Sequence, residues 1–357
     1  MQHVLDLKLA VKTEAMHLGF THLGIAPAIP VPHANGFADW VAAGYHADMH
    51  YLARPDTLAI RADPTIILPG CQRVISLAMP YHPPPAEEME TPAGHGRVAA
   101  YALTHDYHDI IWDKLAQLEA FIHTQTTNQA QVKTYADTGP ILERSFAVQA
   151  GIGFPGKNTC VIIPGAGSYH FLAVILTDQP LPVDTPFTRD LCGSCQRCIE
   201  ACPTGCILPD RTIDADRCIS YLTIENKGII TDQLKPHIGS WFFGCDICQM
   251  VCPHNKLAAK RSPIAGKYHP LGKRQNSEFI NLIKLISWDE ETLLNAFNGT
   301  ALTRPKRRGL LRNAAIVLGN QRCQDALSGL ESLRDQETDP VIQDACQWAI
   351  GQIQGKQ

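Results

Sequence analysis

The chain has 357 residues and a net charge of −4, which excludes a global electrostatic attraction to nucleic acid and suggests two or three domains. Its 13 cysteines are an odd number with no paired spacing outside two short runs, which argues against a disulfide framework and for a reducing, cytoplasmic setting.

In chain order, Met1–Phe20 mixes Asp6, Lys8, Lys12 and Glu14 into apolar helical spacing. That predicts a helix over Val4–Leu18 and no secretory leader. Val74–Met79 predicts a buried strand ended by Pro80, and Pro80–Pro92 a surface loop. Ile110–His123 predicts a second amphipathic helix. Val161–Ile163 and Phe171–Leu176 predict a hairpin across Pro164-Gly165-Ala166-Gly167. Phe171–Leu176 is also the longest apolar stretch, far too short for a membrane span. Residues 1–185 therefore read as a mixed α/β domain, with Leu181–Pro186 leading into a cysteine-rich domain over 186–262. The remainder, 263–357, reads as helical. Leu310–Gly319 and Ile342–Gly351 end in the same Leu/Ile-Gly step 32 residues apart, a spacing that fits stacked HEAT-type hairpins.

The cysteine runs carry the sharpest signal. Cys192-x2-Cys195-x2-Cys198-x3-Cys202-Pro203 has the full spacing of a bacterial two-cluster ferredoxin, and Cys245-x2-Cys248-x3-Cys252-Pro253 is a shortened copy. In that arrangement the cysteine before proline ligates the other cube. One [4Fe–4S] cluster is expected on Cys192, Cys195, Cys198 and Cys252, and a second on Cys245, Cys248 and Cys202. Phe242 stands where the second run would have its first cysteine, so a fourth ligand must come from Cys218 or Cys206. Cys218 is preferred because it lies farther along the chain and can fold back. Zinc is the competing reading, but zinc sites favour separated CxxC pairs or Cys/His mixtures. Cys71, Cys160, Cys323 and Cys346 sit among apolar neighbours and read as buried small hydrophobes.

Two further segments hold chemistry. Tyr135-Ala136-Asp137-Thr138-Gly139-Pro140 precedes a helix beginning near Glu143-Arg144, so Asp137 either caps that helix or faces a cavity. Gly151–Thr159 has three glycines in six residues, which lets backbone approach a flat or anionic ligand, although a structural turn uses the same residues. Two acid-free basic strips lie in the last third. Pro253–Asn276 contains Lys256, Lys260, Arg261, Lys267, Lys273 and Arg274, and Thr300–Asn313 contains Arg304, Lys306, Arg307, Arg308 and Arg312. They suit a local polyanion-binding face or a solvated surface.

Taken together, Ala136-Asp137-Thr138-Gly139-Pro140 with Glu143-Arg144, Gly156-Lys157-Asn158-Thr159, the paired cysteine runs and Arg217–Thr223 resemble epoxyqueuosine reductases. The likeness continues into Gly299-Thr300-Ala301 and Arg312-Asn313-Ala314-Ala315 and so spans nearly the whole chain. It implies reduction of the epoxide of epoxyqueuosine to queuosine at the tRNA wobble position, the last step of queuosine biosynthesis. It also implies cobalamin beside two [4Fe–4S] clusters. The implied fold is α+β: a cobalamin-binding domain of reductive-dehalogenase or nitroreductase type, a two-cluster ferredoxin-like domain and a HEAT-like tail. By motif, Arg61, Asp137, Asn158, Ser168, Cys245 and Asp246 are expected near the corrin, with Asp137 as proton donor at a pKa raised by burial. The Asp-x-His-x-x-Gly signature of other cobalamin proteins is absent, Asp106-Tyr107-His108 stopping short of it, so no histidine is expected on cobalt. Arg304, Lys306, Arg307, Arg308 and Arg312 are expected to hold tRNA phosphates. A monomer fed by an external low-potential electron donor, with no membrane contact, completes the expectation. The alternatives are a reductive dehalogenase acting on a small molecule, and a non-catalytic ferredoxin-type carrier. The carrier has no use for the Asp137 motif, and the dehalogenase none for the basic helical tail.

Overall fold

The apolar run Val74–Met79 lies in a strand buried on both faces, which is why it lacks the alternation of a half-exposed strand. The computed structural model describes residues 2–31, 34–81, 90–261 and 277–355. Its strands are β1 (His22–Pro27), β2 (Arg73–Pro80), β3 (His95–Val98), β4 (Val132–Tyr135), β5 (Phe154–Pro155), β6 (Val161–Ile162), β7 (His170–Thr177), β8 (Trp241–Phe243) and β9 (Phe279–Asn281). The main sheet is antiparallel throughout, in the order β1-β2-β7-β4. On one face Ile75, Leu77 and Met79 meet helix Gln2–His17 through Leu7, Val11 and Ala15, and helix Tyr107–Gln125 through Ile111, Leu115 and Leu118. On the other, Val74 and Ala78 meet Phe146 and Ala147 of helix Glu143–Gln149. That helix packs so close to β1 that a Cβ on Gly24 would lie 2.0 Å from the carbonyl oxygen of Ala150.

The two early helices fall where the spacing predicts them. The second starts at Tyr107 rather than Ile110 because Asp106 caps it, its side chain accepting from His108 N. The expected hairpin does not form. Ile163 and Gly167 exchange backbone hydrogen bonds around a tight turn, but β6 pairs with β5 and β7 pairs with β2 and β4. A long apolar strand gains more in the middle of a two-faced sheet than beside a two-residue strand. Residues 82–89 of the proline-rich loop lie outside the described residues.

The boundaries expected from sequence cut through shared structure. In the order β8-β3-β9, one small sheet takes a strand from each of the three expected domains, β3 running parallel to β8 and antiparallel to β9. Leu222, Phe242 and Phe243 of the cysteine-rich region belong to the same core as Leu311, Ala315 and Ile350 of the helical tail. In that tail, helix Lys306–Asn320 lies along helix Pro340–Gln354, with helix Leu327–Gln336 between them in sequence. The approach is close: a Cβ on Gly319 would fall 2.8 Å from Ala349 Cα. Among the described residues no helix is long and apolar enough to cross a membrane.

Candidate functional site: paired thiol sets beside an acidic cleft

Each cysteine run wraps a loop and then enters a single helical turn, Arg197–Glu200 or Ile247–Met250, and the two turns pack together. Cys192, Cys195, Cys198 and Cys252 line one cavity of about 110 Å³. The other thiols gather on the far side. Cys245 is within electrostatic reach of Cys218 and Cys202, and Cys248 of Cys245 and Cys218. Cys206 is there too, with its sulfur 3.4 Å from that of Cys202 and within reach of Cys218. The Cys206 thiol keeps its proton, and its hydrogen bond pulls the Cys202 pKa down to about 4 and lowers that of Cys218 as well. Cys206 therefore stands as a donor behind the sulfurs of Cys202 and Cys218. Phe242, in place of a cysteine, is fully buried in β8.

Cys71, Cys323 and Cys346 are buried, as expected. Cys160 is different: it is half-buried and within electrostatic reach of Cys252, Cys218 and Asp246, between the two thiol sets. Burial pushes its thiol up to about 11. The glycine-rich loop beside it bears on the same region. Lys157 Nζ donates to the carbonyl of Gly193 at 2.8 Å, inside the first cysteine run, and Asn158 Nδ2 reaches the carbonyl of Cys248 at 3.5 Å. This loop ties the first domain to both cysteine runs, a role not evident from its glycine content.

Asp246 follows Cys245 and is buried, which raises its carboxyl to about 6. It accepts from Ala100 N at 2.7 Å and from Gln249 Nε2 at 3.1 Å. Ser168 Oγ donates to Gln249 Oε1 at 2.8 Å, and Asn255 Nδ2 donates back to Ser168 Oγ at 2.9 Å. Asn158, Ser168 and Asp246 are thus buried and partnered by protein groups, and they brace the wall behind the second thiol set.

Asp137 occupies the turn after β4 with φ 61°, a left-handed conformation that Asp tolerates better than most residues and that marks functional turns. It does not cap helix Glu143–Gln149, which has Leu142 at its N-cap. Its side chain is 59% exposed, yet many protein atoms surround it, as at the floor of an open cleft. Tyr107 OH donates to Asp137 Oδ2 at 2.7 Å, and His108 Nε2 faces the same oxygen at 3.4 Å. His108 Nδ1 lies 2.7 Å from Asp106 Oδ1. Tyr107 is fixed by stacking on Phe171, with centroids 4.1 Å apart and planes 9° apart.

The charges in this cleft differ from the sequence expectation. Burial alone would raise the pKa of Asp137, but the neighbouring His108 and the hydrogen bond from Tyr107 outweigh it and hold the carboxyl below its usual range. Burial works against a charge on His108 too, yet Asp106 and Asp137 together raise it to about 9. The acid with a raised pKa is Glu143, pushed to about 7 by burial. Arg61, also facing Asp137 and Glu143, donates to the carbonyl of Ile141 at 3.2 Å. Sequence reading missed Asp106, Tyr107 and His108 as site residues because they were weighed only against a cobalt-ligand signature.

The second basic strip reaches this site through Arg304 and is only partly free. Arg304 pairs with Glu225 and also feels the charge of Asp137, Arg307 pairs with Glu337, and Arg308 with Asp339. Arg304, Lys306 and Arg308 remain exposed and Arg307 half-exposed. Arg312 does not belong with them. It is 1% exposed and donates to the carbonyls of Leu222 at 2.6 Å and of Asn226 and Gly228 at 2.9 Å. A guanidinium committed to buried carbonyls cannot meet a phosphate, so Arg312 is a clamp between helix Lys306–Asn320 and the segment around Asn226. Of the first strip, Lys256 and Lys260 are exposed, and residues 262–276 lie outside the described residues.

Comparison with known proteins agrees with this layout. Residues 191–255 match the family model described as 4Fe-4S double cluster binding domain. Residues 61–138 match the model described as Epoxyqueuosine reductase QueG, DUF1730. The epoxyqueuosine reductase of Aliivibrio fischeri is 39% identical over 351 residues, spanning 97% of this chain and 91% of the relative. An epoxyqueuosine reductase crystallised with a tRNA-Tyr epoxyqueuosine-modified stem loop superposes with TM-score 0.85 at 29% identity, covering 98% of this chain and 91% of that one. The Bacillus subtilis enzyme, in a state described as having its catalytic aspartate loop swung out of the active site, gives TM-score 0.86 at 28% identity over the same shares.

Proposed function

The chain belongs to the epoxyqueuosine reductase family and is an oxidoreductase; from that premise we propose that it converts epoxyqueuosine to queuosine at the tRNA wobble position, the last step of queuosine biosynthesis. The carrying observation is Asp137, held by Tyr107 and His108, with Tyr101 within electrostatic reach of both Asp137 and Asp246, the residue after Cys245. A relative whose catalytic aspartate loop moves, and another bound to the modified stem loop, support this reading.

One cluster is assigned to Cys192, Cys195, Cys198 and Cys252, the other to Cys202, Cys218, Cys245 and Cys248. Cys206 is assigned as a hydrogen-bond donor to Cys202, 3.4 Å away, rather than as a ligand, in keeping with the ferredoxin-type spacing that gives Cys202 to a cluster. For cobalamin the residues fit. A corrin is flat and rimmed with amides, and the region offers buried polar atoms without protein partners in Arg61 Nε, Glu143 Oε1 and Tyr169 OH. Arg61 and Glu143 would hold its amide rim on the Asp137 side, and Tyr169, within electrostatic reach of Asp246 and Cys248, on the cluster side. When bound, cobalamin supplies a strongly reducing, nucleophilic cobalt. Both ring nitrogens of His108 face carboxylates, in keeping with a corrin that takes no histidine from this chain.

The protein's own part is orientation and proton delivery. Tyr107 and His108 fix Asp137 Oδ2, and Asp137 passes a proton to the departing epoxide oxygen. Arg304, Lys306, Arg307 and Arg308 hold the phosphates of the anticodon stem while the modified base is splayed inward toward Asp137. The paired tail helices, which start 34 residues apart at Lys306 and Pro340, supply a HEAT-like support for that strip. The enzyme works as a cytoplasmic monomer with an external low-potential donor. Anaerobic purification with cobalamin, followed by assays of iron, cobalt and conversion of epoxyqueuosine-bearing tRNA, tests the whole reading. Full cofactor loading without conversion would overturn it.

A further inference from the structure

Removing an epoxide oxygen altogether breaks two C–O bonds and releases water, leaving a carbon–carbon double bond. The balance needs two electrons, from the external low-potential donor, and two protons on one oxygen. Asp137 has one carboxyl, and in this cleft it rests as a carboxylate. It must therefore be loaded with a proton before it can act, and loaded again before water leaves.

We propose that His108 is the group that loads Asp137, with Asp106 holding the far side of the imidazole ring so that its Nε2 proton points at Asp137 Oδ2. This rests on the reading of Asp137 as proton donor and adds the source of both protons. The three side chains are in line: Asp106 Oδ1 2.7 Å from His108 Nδ1, and His108 Nε2 3.4 Å from Asp137 Oδ2. Nε2 is buried and makes no hydrogen bond among the described residues, and the carboxylate facing it is Asp137, with Oδ2 3.4 Å away. A shift of a few tenths of an ångström in the turn at Asp137 would close the gap, and that turn already holds a left-handed φ.

The other groups facing this pair do not serve. Tyr107 is hydrogen-bonded to Asp137, but burial and the adjacent carboxylate raise its pKa far above neutrality, so it orients the carboxylate and keeps its proton. Tyr101 is likewise raised by burial. Arg304 and Arg61 are cations that do not give up protons near neutrality. Glu143 is the remaining acid in the field of Asp137, and it makes no hydrogen bond to Asp137. His108, by contrast, is an imidazolium up to about pH 9 because two carboxylates flank it.

In each pass the Nε2 proton moves to Asp137 Oδ2 and from there to the epoxide oxygen. His108 then takes a new proton from water, to which the rim of its ring and Asp106 remain partly open. Two passes deliver the two protons, and Asp137 ends as it began, a carboxylate.

The test is single-turnover conversion of an epoxyqueuosine-bearing stem loop by pre-reduced, fully loaded enzyme across a range of pH. The wild-type rate should fall as pH rises through about 9, where His108 loses its proton. His108→Gln should lower the neutral-pH rate by about 100-fold and move the alkaline fall to markedly lower pH, where Asp137 alone must hold a proton. Stem-loop affinity and iron and cobalt content should not change. Asp106→Asn retains the helix cap and weakens only the imidazolium, so it should shift the fall in the same direction with a smaller loss, and it serves if His108→Gln misfolds. A pH profile for either variant that superimposes on wild type would overturn the proposal. So would a shift seen in Glu143→Gln and absent from His108→Gln. Asp137→Asn separates the two readings: if it is inactive while both His108 and Asp106 variants behave as wild type, Asp137 stands as donor and His108 falls as its source.

Discussion

The thiol sets and the Asp137 site are assembled by opposite rules. Seven of the eight expected cluster ligands come from two stretches of eleven residues or fewer, with Cys202 and Cys252 crossing between the runs. The cleft instead collects Asp137 from the turn after β4, Tyr107 and His108 from the start of a helix, and Arg304 from the tail. A metal cluster demands fixed short separations, which local spacing can encode. A proton-transfer site demands direction and charge balance, which only packing supplies.

The sharpest way to break this comparison is at Cys218, the one ligand that spacing does not fix. Cys218→Ala should cut bound iron by roughly half and abolish turnover, because one of two four-thiolate sites is lost. Cys206→Ala should keep its iron and at most alter the electronic environment of the second cluster. The reverse pattern would make Cys206 the ligand. Next in size is Asp137→Asn, which preserves shape and cannot act as an acid. Turnover should fall by about two to four orders of magnitude, with iron and cobalt content unchanged. Retained activity would return Asp137 to a structural turn. The smallest effect belongs to the basic strip. Lys306→Glu with Arg308→Glu should weaken tRNA binding regardless of sequence and flatten the log–log salt dependence by about 1 for each phosphate no longer neutralised. Arg312→Met should instead destabilise the fold, since it leaves the carbonyls of Leu222, Asn226 and Gly228 without their donor. Unaltered salt dependence in the double variant would leave the strip as solvated surface held by Glu225, Glu337 and Asp339.

Sequence by itself determined the features that depend on neighbours along the chain. The cysteine spacings, the early helices, the doubly buried strand and the Asp137 turn are all set within a few residues, where torsional preference and periodicity act directly. Tertiary structure decided the rest. Val161–Ile163 and Phe171–Leu176 read as a hairpin but join different sheets, because β7 buries both faces only between β2 and β4. Arg312 reads as one of a basic cluster and is a buried clamp, because it lies one turn deeper than Arg308 along helix Lys306–Asn320, where the helix packs on the segment carrying Leu222 and Asn226. His108 carries no local signal of its role. Its charge comes from Asp106 two residues before it and from Asp137 on a separate turn, brought together only when the helix capped by Asp106 packs on the main sheet.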